Sequence, residues 1–245
     1  MDDTALAETT TLTVPNRSTA DDRLCVPIGP GVWLIDDHRW AFYVWAQHAL
    51  SASLRHPERL PLCLVHIDAH ADAVDGFLPD PAGWVPLQGE TDLARIYGRV
   101  AQDSDLTLAS FIAPAIRRGW ITEVHFFGCA DDDDLLDAPL LAATGASQRR
   151  HEMIGDLVQA VEGRGLLLDI DLDVFNEAEA RGQSRLWPED DIIACIDAWT
   201  PLIQRADVIT IARSFGFSGT VADTVRQPDL VVPRVLACRW AVEPG

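Results

Sequence analysis

The sequence predicts an α/β fold: a three-layer, doubly wound arrangement in which helices cover both faces of a mostly parallel sheet. Short apolar segments that suit buried strands alternate with longer segments that suit helices, as in repeated βαβ units. Acidic residues directly follow several of these strands, and ligands of such sheets bind beyond the carboxyl ends of the strands. A length of 245 residues, 48% of them hydrophobic, is enough for one such domain.

Residues 1–22 are polar, rich in Thr and without periodicity, so we expect a flexible tail there and one domain over residues 23–245. Short apolar runs indicate the strands, while Gly and Pro mark the helix ends. The expected strands are at 24–28, 31–35, 62–67, 121–127, 165–170 and 207–212. The expected helices run to about 56 after the second strand, over 105–119, over 148–162 and from 188 to about 204. Residues 220–240 are expected to be partly helical, with interruptions near Pro228 and Pro233. Residues 73–104 contain several Pro and Gly and indicate a long loop that walls the substrate site, with Trp84 in it.

Two acidic segments indicate a functional site. Asp68-Ala69-His70-Ala71-Asp72 follows one apolar strand, and Asp169-Ile170-Asp171-Leu172-Asp173 follows another. Residues two apart in an extended chain point to the same side, so each segment gathers its polar side chains on one face. Packing gives no reason for this, because unpaired carboxylates repel one another and are costly to bury.

A bound divalent cation would remove both the repulsion and the burial cost. Carboxylate oxygens together with one or two His suit Mn²⁺, and suit Fe²⁺ or Zn²⁺ less well. Five or six ligands exceed what one ion needs, so we predict two ions that share Asp ligands. The alternative is a pair of acidic loops that cap helices.

Composition limits the partners. The net charge of −19 argues against nucleic acid and favours a cationic substrate, although solubility explains the surface acids equally well. The sequence contains no run of about twenty apolar residues, so we predict no membrane span. The first residues do not resemble a signal peptide, so we expect a cytoplasmic protein without a membrane partner. The five Cys include no Cys-x-x-Cys pair, and we expect Cys63 and Cys129 to be small core residues.

These motifs resemble those of the arginase, agmatinase and deacetylase superfamily, the ureohydrolases, which carry an Asp-Ala-His-x-Asp and a Ser-Phe-Asp-x-Asp segment. The first segment here matches without departure, and the second has Asp169 in place of Ser. The resemblance implies an arginase-like fold with two Mn²⁺. It implies as ligands of one ion His38, Asp68, Asp72 and Asp171, and as ligands of the other Asp68, His70, Asp171 and Asp173.

The short chain and its Asp36-Asp37-His38 segment look most like a small branch of this superfamily that includes peptide arginases. The resemblance therefore implies a partner and a reaction: hydrolysis of Arg guanidinium groups in a ribosomally made precursor peptide, giving ornithine and urea. Three alternatives stay open, namely a hydrolase of a small guanidine such as arginine or agmatine, an amide deacetylase on the same fold, and a non-catalytic, metal-stabilised binding protein. An oligomer is also left open.

Two departures from the family pattern concern the substrate. Thr210 falls at the position expected for the Glu that holds the guanidinium, and residues 73–104 contain no His to match the family's catalytic His. Asp131 or Asp133, after the strand predicted over 121–127, is therefore our candidate for holding the guanidinium, the alternative being a solvated helix start. Asp169 is a further candidate site residue, next to the ligands. We expect His66, inside its strand, to be a hydrogen-bonded core residue.

Overall fold

The structure is a computed structural model that describes residues 21–77, 81–102, 106–129, 135–177 and 183–241. Its central sheet has the strand order β1-β2-β7-β6-β3-β4-β5. The strands are β1 Cys25–Gly29, β2 Val32–Ile35, β3 Leu62–Ile67, β4 Ile121–Phe127, β5 Ser147–His151, β6 Leu166–Asp171 and β7 Val208–Ala212. Only the β1–β2 pair is antiparallel among these neighbours, which confirms the predicted mostly parallel sheet.

Helices cover both faces of the sheet. Their bounds are α1 Trp40–Arg55, α2 Pro81–Trp84, α3 Leu93–Gln102, α4 Ile112–Arg117, α5 Ala138–Thr144, α6 Ile154–Ala160, α7 Glu189–Ala198, α8 Thr200–Arg205 and α9 Val221–Trp240. One buried cluster joins the sheet to α1, α3 and α4, and a second joins it to α6, α7, α8 and α9. Alternate strand residues supply the two clusters, as the two-residue period of a strand requires. The three-layer α/β prediction is therefore confirmed.

The clearest error of the sequence interpretation is at β5. We predicted one helix over 148–162, but residues 147–151 pair with β4 as the edge strand and α6 begins only at Ile154. The β5 sequence is Ser-Gln-Arg-Arg-His and carries no strand-like apolar pattern. Backbone pairing with β4 decides its conformation, and such pairing leaves no mark in hydrophobic periodicity.

The segment 73–104 was also predicted wrongly as a continuous loop, because it contains α2 and α3. Trp84 is 8% exposed and packs on Phe77 at a ring-centroid distance of 5.6 Å, so it belongs to the core. The helix expected over 105–119 is only the short α4, preceded by irregular chain from 106. Thus the chain between β3 and β4 is folded against α1 and forms less of a wall than the sequence suggested.

The C-terminal part shows two smaller differences. The helix expected from 188 to about 204 is divided into α7 and α8 at Trp199. In contrast, α9 runs unbroken through Pro228 and Pro233, where we expected interruptions. A Pro inside a helix costs about 3 kcal/mol, but α9 buries Val231 and Val235 in the core, and this packing outweighs the local preference. Within the described residues no helix has the length and apolar character of a membrane span.

Candidate metal centre

The two acidic segments meet at one edge of the sheet. Strands β3 and β6 are parallel neighbours, with Ile67 opposite Ile170, so Asp68, directly after β3, lies beside Asp171, the last residue of β6. The short loop after β2 brings His38 to the same edge. This edge is where parallel α/β sheets bind their ligands. The predicted meeting of the two motifs is therefore a consequence of strand order and direction.

The first group of candidate ligands is centred on His38. Its Nδ1 atom lies 3.5 Å from Asp68 Oδ2, 3.2 Å from Asp72 Oδ2 and 3.0 Å from Asp171 Oδ2. Despite these short distances, the buried Nδ1 has no hydrogen-bond partner with acceptable geometry among the described residues. One ligand atom from each of the four side chains lies within 4.8 Å of the others. An imidazole nitrogen and three carboxylate oxygens that face one point without bonding to each other are suited to a divalent cation.

The second group consists of Asp68, His70 and Asp173, whose candidate ligand atoms also lie within 4.8 Å of one another. His70 Nδ1 is 2.9 Å from Asp173 Oδ2 and 3.6 Å from Asp68 Oδ1. Asp68 belongs to both groups, and it is fully buried between them. Asp171, which the resemblance also assigned to both ions, falls only in the first group among the described residues. All six residues predicted as metal ligands thus lie in two adjacent groups that share Asp68.

A buried hydrogen-bond network fixes the orientation of His38 on the side of its ring away from the carboxylates. Asp169 Oδ2 accepts bonds from His38 Nε2 and His66 Nδ1, each at 2.8 Å, and Thr210 donates its hydroxyl to Asp169 Oδ1. Because Nε2 of His38 donates to Asp169, Nδ1 faces the carboxylates of the first group. Burial lowers the pKa of His38, but Asp169 and Asp171 raise it well above the ordinary value, so a cation at Nδ1 would take the place of a proton. Such a carboxylate partner commonly orients a metal-binding His. Any contribution of Asp169 to catalysis therefore acts through His38, since Asp169 has no exposed surface.

The same hydrogen-bond network confirms that His66 is a hydrogen-bonded core residue. It also corrects our interpretation of Thr210, which is fully buried and points at Asp169 rather than into the cleft. A carboxylate at position 210 would be buried next to Asp169 and would not reach the cleft. The presence of Thr in place of Glu is therefore no argument for or against binding of a guanidinium.

Electrostatics at the site show how poorly the carboxylates tolerate one another. Burial raises the pKa of Asp72 to about 6, and burial together with Asp68 raises the pKa of Asp171. Burial also raises the pKa of Asp173 well above its ordinary range, with Asp171 adding to the effect. Burial disfavours charge on Asp68 too, but the imidazoles of His66 and His70 hold its pKa below the ordinary value. Asp173 and Asp68 in turn raise the pKa of His70 to about 11, so without a cation protonated imidazoles supply the positive charge. A divalent cation would replace these protons and compensate the carboxylates.

Backbone strain is concentrated at the same edge. Asp72 and Ser214 are the only residues other than Gly with positive φ among the described residues, at 46° and 43°. Such angles are uncommon for residues with a side chain and tend to occur at functional sites. The strained Ser214 follows β7 and donates its hydroxyl to Asp171, so it fixes the orientation of a candidate ligand.

The candidate metal groups open into a cleft of about 300 Å³. Its walls include Val74, Leu108 and Phe217, while His70, Asp171 and Asp173 form its polar end. A smaller adjoining pocket shares Leu108 and Phe217 and extends to further acidic side chains, namely Asp22, Asp36 and Asp37. Sequence reasoning did not identify the apolar wall residues, because isolated Leu and Phe residues in irregular chain carry no pattern.

Asp131 and Asp133 lie outside the described residues, and their assignment stays a prediction. The residues just before them, Gly128 and Cys129, contact the candidate metal centre. A Cβ atom at Gly128 would lie 2.9 Å from the Asp68 carbonyl oxygen, and Cys129 donates its thiol to the carbonyl of His70 at 3.0 Å. With a positive φ of 94°, Gly128 permits this close approach.

Comparison with known proteins identifies the architecture. The structure superposes on formimidoylglutamase from Bacillus subtilis with a TM-score of 0.50, at 12% identity, covering 86% of this chain and 61% of that one. The chain has the ureohydrolase fold. Proclavaminate amidino hydrolase from Streptomyces clavuligerus gives a TM-score of 0.49 at 13% identity, with 85% and 65% of the chains covered.

Arginase from Medicago truncatula is similar to the same degree, with a TM-score of 0.48, 18% identity, and 84% and 58% coverage. The chain thus spans less than two thirds of the length of each of these three ureohydrolase-fold proteins. No protein family model matches the sequence, and no curated protein matches it.

Proposed function

We propose that this protein hydrolyses guanidines with two Mn²⁺ ions bound at the shared edge of β3 and β6. The observation that carries the proposal is the position of Asp68, which belongs to both candidate ligand groups. One group contains His38, Asp72 and Asp171, and the other contains His70 and Asp173. Two cations that share a carboxylate form a recurrent arrangement in hydrolases. The ureohydrolase fold, identified from the superposition on formimidoylglutamase, also supports the proposal.

When bound, the ions would supply Lewis-acid activation of a water and offset the charge of the buried carboxylates. The protein's own residues contribute orientation. Asp169 holds the ring of His38 through Nε2, and Ser214 holds Asp171 through its hydroxyl. Apolar side chains line the cleft beside its polar end, and electrostatic interactions are stronger next to such walls than in bulk water. In the overall reaction, water adds to the guanidinium carbon, the bond from that carbon to the side-chain nitrogen breaks, and urea and a primary amine are released.

We infer further that the substrate is an Arg side chain within a peptide, and that the products are ornithine and urea. Two observations support this choice. The cleft adjoins a smaller pocket across Leu108 and Phe217, and Asp22, Asp36 and Asp37 are among the residues of that pocket, so together they provide more binding surface than a lone guanidinium needs. The net charge of −19 also attracts a basic chain. A peptide supplies remote contacts whose binding energy can be used at the reacting group. We place the enzyme in the cytoplasm, where ribosomal peptides are made.

Mass spectrometry tests the proposal directly. The Mn²⁺-loaded protein is incubated with Arg-containing peptides, and each converted Arg should lose the mass of CH₂N₂, because one water is gained and one urea is lost. Free arginine and agmatine are tested in parallel by measuring urea. We expect kcat/KM for a peptide to exceed that for either small guanidine by orders of magnitude.

The outcomes separate the two parts of the proposal. Comparable efficiency on free arginine or agmatine would reject the peptide and leave the guanidine hydrolase. Release of acetate from acetylated amines, without urea from any guanidine, would instead support an amide deacetylase. Two bound Mn²⁺ ions with no turnover of any of these substrates would favour a metal-stabilised binding protein.

A further inference from the structure

Another group of candidate metal ligands, separate from the two groups that share Asp68, lies on the opposite face of the sheet from His66 and Asp169. It consists of Cys63 on β3 and Glu123 and His125 on β4, whose ligand atoms all lie within 4.8 Å of one another. Glu123 is paired directly with Cys63 across the two strands, and His125 is two residues further along on the same face. Cys63 is five residues before Asp68 in an extended strand, which separates the two sites by about 16 Å.

The imidazole of His125 is arranged like a metal ligand. The residue is fully buried, and its Nε2 has no hydrogen-bond partner among the described residues although Glu123 Oε1 lies 3.2 Å away. Its other nitrogen, Nδ1, is 2.7 Å from Nε2 of His151 on β5. When Nδ1 donates to His151, the lone pair of Nε2 points toward the carboxylate and the thiol. A hydrogen bond on the far nitrogen is the usual way in which a metal-binding His is oriented.

The carboxylate is arranged in the same manner. Oε2 of Glu123 is held by the guanidinium of Arg164 at 2.5 Å, so that Oε1 remains directed at His125. The side chain of Glu123 is 26% exposed, so the group is in contact with solvent at this carboxylate. The interior of the sheet closes the other side, where Cys63 is fully buried. An unpaired buried imidazole nitrogen, a fixed carboxylate oxygen and a thiol therefore converge on one point.

We propose that Cys63, Glu123 and His125 bind one Zn²⁺ ion. One sulfur, one nitrogen and one oxygen ligand match the preference of zinc, and three protein ligands plus water complete its usual tetrahedron. Ligand atoms of a tetrahedral zinc are roughly 3.3–3.8 Å apart at its usual bond lengths, so the present separations must close by about 1 Å at most. The ion would also compensate the negative charges of the thiolate and of Glu123.

The protonation states favour such an ion. Burial lowers the pKa of His125, and burial likewise lowers the pKa of His151, so both rings are neutral near pH 7. Burial raises the pKa of the Cys63 thiol to about 12, so this thiol gives up its proton only to a bound metal. The site is thus expected to bind zinc more tightly as pH rises, and to leave the thiol unreactive when no metal is present.

Cobalt spectroscopy tests the proposal without any enzyme assay. The full-length protein is treated with a chelator, dialysed and loaded with Co²⁺, and the near-ultraviolet band that marks a thiolate bound to Co²⁺ is recorded. We expect the band in the wild-type protein and its loss in Cys63→Ser. The matched control is Cys129→Ser, because Cys129 is the buried thiol next to the candidate Mn²⁺ groups, and this variant should keep the band.

Zinc titration provides the second measurement, in an Asp68→Asn background that removes the shared ligand of the other site. We expect one Zn²⁺ per chain, and a 10- to 100-fold weaker affinity in His151→Gln, as is typical when the partner of a metal-binding His is lost. Glu123→Gln, at a partly exposed position that tolerates change, should also weaken zinc binding. Absence of the thiolate band in folded wild-type protein, or its persistence in Cys63→Ser, would overturn the proposal. Because no readout involves turnover, failure here is distinct from failure of the guanidine hydrolase proposal.

Discussion

Replacing Asp68 by Asn should abolish most of the thermal stabilisation that Mn²⁺ gives to this protein. Asp68 is the one residue present in both candidate ligand groups, and Asn keeps its size while removing its charge. A cation at 100 times its dissociation constant stabilises a folded protein by about 2.7 kcal/mol per site, or about 5 kcal/mol for two independent sites. In a domain of this size each kcal/mol raises Tm by about 2–4 °C, so the wild-type protein should gain about 10–20 °C.

The assay is thermal unfolding by circular dichroism, with chelator and with saturating Mn²⁺, on three variants besides the wild type. Asp68→Asn should gain almost nothing. Asp169→Asn should retain part of the gain, because loss of a partner to a metal-binding His weakens binding about 10- to 100-fold, or 1.4–2.7 kcal/mol. Asp75→Asn is the control: Asp75 is a buried acid that pairs with Arg117 and belongs to neither group, so the Tm of this variant should fall while its Mn²⁺ gain is unchanged. A full gain in Asp68→Asn would refute the shared-ligand reasoning.

Three further predictions concern pH, substrate binding and the scaffold. The chelated protein should lose stability as pH rises. Burial raises the pKa of Asp72 to about 6, so its protonated form stabilises the fold at low pH, and this contribution disappears between about pH 4 and 6. Against the effect of burial, Asp169 and Asp68 raise the pKa of His66 to about 10, so its charged form stabilises the fold until the pH rises above about 6.5. The Mn²⁺ gain should increase over the same range, since ligands must lose protons, and a gain independent of pH in thermal melts would contradict this. Asp131→Ala or Asp133→Ala, whichever holds the guanidinium, should lower kcat/KM by at least about 30-fold, the equivalent of 2 kcal/mol, with metal content unchanged by elemental analysis; loss of metal would reassign that residue. Thr220→Ala should remove the capping box of α9 and destabilise the protein by about 1 kcal/mol in urea unfolding without altering the Mn²⁺ gain.

Much of the fold follows from the sequence because its buried strands are apolar on both faces. The segments that became β3, β6 and β7 are recognisable as short hydrophobic runs, and parallel order follows from their alternation with helices. The edge strand β5 escapes this reasoning, because it is polar and is defined by pairing with β4. The unbroken α9 escapes it as well, because tertiary packing overrides the local effect of its two Pro residues.

The site divides in a similar way. The ligand candidates Asp68, His70 and Asp171 were predictable because alternation along two strands fixes which side chains share a face. Ser214 and Asp72 were not recognisable as strained positions, because positive φ at residues other than Gly has no sequence signature. The depth of Thr210 was not predictable: it pairs with Asp169, two residues further from the carboxyl edge than the Ala212–Asp171 pair, and a strand alignment does not show that its side chain is buried there.

The most direct test of the central claim is crystallography of the Mn²⁺-loaded protein, with an anomalous difference map calculated from data collected at the manganese absorption edge. Our account predicts two anomalous peaks about 3.5–4 Å apart, both within bonding distance of Asp68, one next to His38 and the other next to His70. A single peak, or peaks that lie away from Asp68, would contradict the account.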